Sequence, residues 1–89
     1  YVMCKVSSGS EREACKIMAE YPFVYEANII YGEYDIIAKI HAQNLQQLDS
    51  VIDKIRKIPS ITFTSTVIVG RECKNHGKLV EPEGQAKNF

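Results

Sequence analysis

An excess of charge of either sign is missing from this sequence: eleven basic residues are balanced by eleven acidic ones, and no cluster of Lys or Arg forms a basic stripe. The electrostatic footprint with which proteins hold nucleic-acid phosphates is therefore absent, and the chain is not expected to grip DNA by itself. Cysteine is scarce. Cys4, Cys15 and Cys73 are odd in number and scattered along the chain, which argues against a disulfide framework and for a reducing compartment. Neither an apolar run of about 18 residues nor a signal-type hydrophobic segment occurs, so no membrane association is expected and the chain reads as soluble and cytoplasmic. Local motifs of catalysis are wanting too: no Ser/His/Asp set, paired carboxylates, phosphate-binding glycine loop or reactive-cysteine context stands out. The expectation is a protein that is not an enzyme and needs no cofactor. With 89 residues the chain is long enough for one domain. A chain of that size buries only about 60–65% of its unfolded surface, so association with further copies would help it.

What is present is a regular alternation of two periodicities. Tyr1 to Val6 alternates with apolar residues in both sets, the pattern of a strand covered on both faces. "SSGS" breaks it, and Ser10 with Glu13 has the spacing of a capping box that opens a helix. Ala14, Ile17, Met18 and Tyr21 continue at helical spacing until Pro22. From Val24 to Tyr31 the period returns to two, with Tyr25, Ala27, Ile29 and Tyr31 on one face. Gly32-Glu33 then suits a two-residue type II′ hairpin loop. In the next strand Tyr34, Ile36, Ala38, Ile40 and Ala42 share a face, opposite Asp35, Ile37, Lys39 and His41. Asn44 can cap a second helix with Gln47 at the reciprocal position, and Leu45, Leu48, Val51, Ile52, Ile55 and Ile58 form its apolar stripe up to Pro59. A last strand runs from Ile61 to Val69, with Ile61, Phe63, Val67 and Val69 expected to meet the helices and Thr62, Thr64, Thr66 and Ile68 on the other side.

The order βαββαβ is that of the ferredoxin-like α+β plan: a four-stranded antiparallel sheet with two helices on one face. Residues 1–70 form the expected compact domain, and 71–89 a polar C-terminal tail. The uncovered face would carry Met3, Ile30, Ile37 and Ile68, and an apolar sheet face of that kind is usually an interaction site, so dimerisation through it is expected.

The stretch "IIYGEYDIIAKIHAQNLQQLDSVIDKIRKIPSITFTSTVIV" resembles the effector-binding and oligomerisation domain, or RAM domain, of the Lrp/AsnC family of transcription regulators. The likeness extends over residues 1 to about 70 and is most specific in "YGEYD", in the helix ending "KIRKIP" and in the threonine-bearing strand "TFTSTVIV". Fold alone would carry little, since this fold hosts many functions. The resemblance implies a homodimer with facing sheets, higher assembly of dimers, and an amino acid or related small molecule bound between subunits near the glycine–aspartate turn. Gly32 would let the backbone approach that ligand, Asp35 would meet its ammonium, Thr64 and Thr66 match threonine positions near the family pocket, and Tyr34 would shape the site. The family's usual regulators carry an N-terminal helix-turn-helix domain, whereas this sequence begins at the first strand of the resembling domain. A stand-alone form modulating transcription indirectly is the expectation.

Each of these residues also has a plainer role. Asp35 suits a turn carboxylate accepting local backbone N–H bonds. Gly32 serves the hairpin with or without a ligand, and strand preference accounts for the threonines as well as ligand contact does. Cys73 and His76 have the spacing of half a zinc site, but the sequence offers no matching second pair and no metal is expected. Two alternatives remain beside the ligand sensor: an oligomerisation partner of full-length Lrp/AsnC relatives without a ligand of its own, and a small dimeric enzyme on the same fold.

Overall fold

A computed structural model of the chain describes residues 1–80. Residues 81–89 of the expected tail, Phe89 among them, lie outside the described residues. The elements follow the expected order: β1 (Val2–Val6), α1 (Glu11–Ala19), β2 (Val24–Ile29), β3 (Ile36–Ile40), α2 (Leu45–Arg56) and β4 (Ile61–Thr66). The four strands form one sheet in the order β2-β3-β1-β4, and every neighbouring pair is antiparallel. This is the ferredoxin-like arrangement, with each helix crossing over an intervening strand.

One side of the sheet and the inner stripes of the helices make the core. Val2, Cys4 and Val6 of β1 alternate into it with Ile36 and Ala38 of β3, and they meet Ala14 and Met18 of α1 and Val51, Ile55 and Ile58 at α2. Cys4, Ala14, Met18, Ile36, Ala38 and Ile55 have no exposed surface. Burying such side chains contributes about 1.5–3 kcal/mol for each large aliphatic group, and the spacing of these residues is what commits each segment to its conformation. Leu45, expected in the α2 stripe, is instead exposed at the helix's first turn.

Both helices start where their sequences indicate, with different caps. At α2 the Asn44 side chain accepts from Gln47 N at 2.8 Å, and the Gln47 side chain accepts from Gln43 N, so the cap is reciprocal but reaches one residue further back. At α1 the expected Ser10/Glu13 box is not formed. Ser10 occupies the N-cap without a side-chain bond, and Glu11 accepts from Gly9 N at 3.2 Å instead. Gly9, at φ +85, makes that turn.

Two bulges reset the strand faces. Val6 pairs with Ile61 but Lys5 with Phe63, so Thr62 is an extra residue in β4; Tyr25 is likewise extra in β2, between the Val24–Ile40 and Glu26–Lys39 pairs. A one-residue slip moves every following side chain to the opposite face. Thr64 and Thr66 consequently pair with Cys4 and Val2 on the helix side, while Phe63, paired with Lys5, joins the open side, the reverse of the expected placement. The open face carries Met3, Lys5, Asn28, Ile37, Lys39, Phe63 and Ser65. Of the four apolar residues expected there, Met3 and Ile37 have that register; Ile30 lies in the β2–β3 loop and Ile68 lies past the end of β4.

The β2–β3 connection is not a two-residue type II′ hairpin. Ile30 N donates to Asp35 O at 2.9 Å around a wider loop, Gly32 has no positive φ, and a Cβ placed on it would meet nothing within 4 Å. Beyond Gly70 a small hairpin pairs β5 (Lys74–Asn75) with β6 (Lys78–Leu79) across His76-Gly77, both at positive φ as a type I′ turn requires. Among the described residues no helix is long and apolar enough to cross a membrane.

Candidate functional site

Asp35 sits where the wide β2–β3 loop becomes β3. Its backbone N–H donates to Cys4 O at 2.8 Å, as a strand residue's would, and its side-chain Oδ2 accepts from Val6 N at 2.8 Å. At that end of β1 the β3 chain has turned away, so the carboxylate takes the place of the missing ladder carbonyl. This explains an acid set directly against Ile36 and Ile37: it completes the hydrogen bonding of a half-buried backbone group. A carboxylate offers about four acceptor sites, so one backbone bond leaves it able to receive a cation as well.

The half-buried Asp35 also lines a cleft of about 460 Å³ together with Glu11, Arg12, Ile29, Ile30 and Tyr31. The first turn of α1 forms one wall and the β2–β3 loop the other. Both signs of charge and an apolar wall meet there, the combination that small zwitterionic ligands require. Tyr31 stands at the rim, 98% exposed.

The other residues expected at the site lie elsewhere within one chain. Tyr34 stacks on Phe63 with ring centroids 6.4 Å apart, and the Lys5 ammonium lies 5.7 Å and 5.8 Å from the two rings, a cation–π cluster. Thr64 accepts from Arg56 Nε at 3.0 Å and lines a second cleft with Ile61, Thr62 and Phe63. Thr66 is half-buried at the helix side of β4. Gly32 is on the exposed loop and does not line the cleft. Sequence reasoning did not single out Arg12 and Glu11, although their position just after Ser10 at the start of α1 is a signal that could have done so.

Cys73 is exposed and His76 occupies the type I′ turn. Among the described residues no group of three or more His, Cys, Asp or Glu is placed to hold a metal ion. Burial pushes the Cys4 thiol up to about 11 and raises that of Cys15, the opposite of what activates a thiolate.

Comparison with known proteins identifies the fold and the family. A model of the Lrp/AsnC ligand binding domain matches residues 1–79, past Gly70 and through the small hairpin. The HTH-type transcriptional regulator FL11 of Pyrococcus horikoshii is 32% identical over 81 residues, covering 91% of this chain and 52% of that regulator. The chain spans about half the length of the curated relatives it matches. Among solved structures, FFRP-DM1 is 40% identical with a TM-score of 0.72, over 76% of this chain and 92% of the other. AsnC of E. coli is 27% identical with a TM-score of 0.75, over 80% of this chain and 49% of AsnC.

Proposed function

This chain belongs to the Lrp/AsnC family through its ligand-binding domain, and from that premise we propose that it senses an amino acid or a related small molecule and relays binding through assembly with other copies. At the coarser level it is a regulatory ligand-sensing domain. The observation that carries the finer reading is the cleft at the glycine–aspartate turn, where Asp35 keeps acceptor capacity beyond its bond to Val6. A charge-assisted bond from an ammonium to that carboxylate is about twice as strong as a neutral one. Tyr34, Thr64 and Thr66 lie away from this cleft in their own chain, so in this proposal they serve a ligand held between copies, with Gly32 allowing close backbone approach. Binding is relayed through assembly, with itself or with other members of the family. The description of its relatives as transcriptional regulators points away from catalysis.

The test is a thermal-shift screen of all amino acids with native mass spectrometry on the same samples. A true effector raises stability by about 2.7 kcal/mol at a hundredfold excess over its dissociation constant, and it changes the distribution of assemblies. If no amino acid does so, the reading that remains is an oligomerisation partner. That reading is favoured by the exposed Phe63 on the open face beside Met3 and Ile37.

A further inference from the structure

A group of aromatic residues is used neither by the core nor by the cleft at Asp35. Tyr25 is the extra residue of the β2 bulge, without a partner across the ladder, and it is 64% exposed. The bulge aims it at His41, just past the end of β3, and the two rings stack with centroids 5.5 Å apart and 15° between their planes. His41 N donates to Phe23 O at 3.1 Å, which fixes the pair beside Phe23, and Lys54 Nζ lies 5.9 Å from the centre of the Phe23 ring. These residues line a cleft of about 390 Å³, with Gln47, Ser50 and Lys54 at helical spacing along its α2 wall. It sits at the opposite end of β2 from Ile29 and Ile30, which line the Asp35 cleft. Neither Tyr25 nor His41 belongs to the buried cluster or to the residues packed against it, so core packing does not account for the stacked pair.

We propose that this cleft binds a nucleoside monophosphate, with its base on the Tyr25–His41 pair and its phosphate at Lys54. Exposed aromatic faces are stacking platforms for any planar base. The Gln47 carboxamide oxygen is taken by Gln43 N, so its NH2 is the group left to donate to a ring nitrogen or keto oxygen, and the Ser50 hydroxyl can donate or accept. Lys54 is a compact point charge of the kind that holds phosphate. Among the described residues that line the cleft there is no carboxylate, so an ammonium finds no partner there and an amino acid is disfavoured. Lys54 is also the one Lys or Arg of that lining, which matches a single phosphate rather than the backbone of a strand. The inference is independent of the proposed ligand sensing at Asp35, from which it differs in both place and ligand chemistry.

The experiment is calorimetric titration of adenosine monophosphate, adenosine and ribose 5-phosphate into wild type, Tyr25→Ala, Tyr25→Phe and Lys54→Gln, with circular dichroism as the fold control. Wild type is expected to bind the nucleotide at least about tenfold more tightly than either fragment. Lys54→Gln brings the nucleotide down to the affinity of adenosine and leaves adenosine as it was. Tyr25→Ala weakens the nucleotide and adenosine alike by about ten- to a hundredfold, and Tyr25→Phe, which keeps the ring, restores both. No binding of the nucleotide to wild type, or binding unchanged in both Tyr25→Ala and Lys54→Gln, overturns the assignment and leaves ligand sensing at Asp35 standing. Benzoate bound as tightly as the nucleotide overturns the nucleotide class in favour of any aryl anion. Oligoadenylate bound far more tightly than the monophosphate overturns the single-phosphate ligand in favour of a strand.

Discussion

Asp35 combines two tasks that substitutions can separate. As the acceptor for Val6 N it completes the end of β1, and as a charged group in the cleft it is offered as the ammonium partner. Replacement by alanine leaves a half-buried N–H unsatisfied, which costs about 1–3 kcal/mol. Asn retains a side-chain oxygen that can accept from Val6 while removing the charge. Asp35→Ala is therefore expected to lower the urea midpoint clearly and Asp35→Asn only slightly, with both weakening binding of an effector by about ten- to a hundredfold. Equal destabilisation by the two variants would show that the backbone bond is not what the carboxylate supplies. Cys4 makes a second residue-level expectation. Burial pushes its folded thiol up to about 11 from an ordinary value near 9.0, so below pH 9 the thiol is neutral in both states and its contribution is fully present. As pH rises from 9 towards 11 the unfolded chain ionises first and that contribution is lost, to the extent of roughly 2–3 kcal/mol. Denaturant titrations at pH 8 and pH 10.5 should accordingly show a steeper alkaline loss in wild type than in Cys4→Val, where the other titrating groups are the same.

At the scale of elements, the strands and helices were legible because their apolar residues recur at periods of two and 3.6, and the prolines after each helix are unambiguous stops. What the pattern did not reveal is register across the bulges. Nothing in "ITFTST" marks Thr62 as the extra residue, yet that one insertion turns Thr64 and Thr66 towards the helices and Phe63 away from them. The cleft was half legible: "YGEYD" pointed to Asp35, but Arg12 and Glu11 come from a helix start distant in sequence and join it only through the fold. The His76-Gly77 turn was similarly hidden, since the αL conformation of a histidine is a property of two paired strands too short to show a period. Gly32 illustrates the converse error, a glycine credited with a conformation it does not adopt. With an ordinary φ and open space around its Cβ position, Gly32→Ala is expected to leave stability unchanged or raise it by up to about 1 kcal/mol, measured by thermal melting. A loss of effector affinity without loss of stability would then report close ligand approach at that loop. The four-stranded sheet is complete at Thr66 and the β5–β6 hairpin forms a sheet of its own, so we propose 1–70 as the compact unit. Truncation after Gly70 should preserve a cooperative melt within about 5 °C of the full chain. Loss of soluble folded protein would place the hairpin in the core unit.

At the scale of the whole molecule, the sheet divides the domain into a satisfied side and an unsatisfied one. The helices cover the core side over β1 and β3, whereas the open side presents Phe63 at 52% exposure beside Met3, Ile37 and the Tyr34–Lys5 cluster, and the chain past β4 exposes Val67, Ile68 and Val69. A small domain gains by burying such exposed apolar side chains, and a second copy facing the open sheet would cover those it carries. The interleaved Lys5 and Lys39 set a condition on that association, because like charges from two copies must be offset or paired with groups such as Glu26 as the faces approach. A carboxylate introduced at the centre of the face should therefore break the assembly rather than the fold: Phe63 is half-exposed and outside the buried cluster, so Phe63→Glu costs the monomer little. Sedimentation equilibrium at micromolar concentration is expected to give a dimer or larger species for wild type and a monomer for Phe63→Glu, with unchanged circular dichroism. Lys5→Glu on the neighbouring strand, which keeps the aromatic pair and changes the charge, should weaken association less than the loss of the ring. A wild-type monomer, or a Phe63→Glu variant that assembles as wild type does, would mean that the open face is not the surface through which copies of this chain meet.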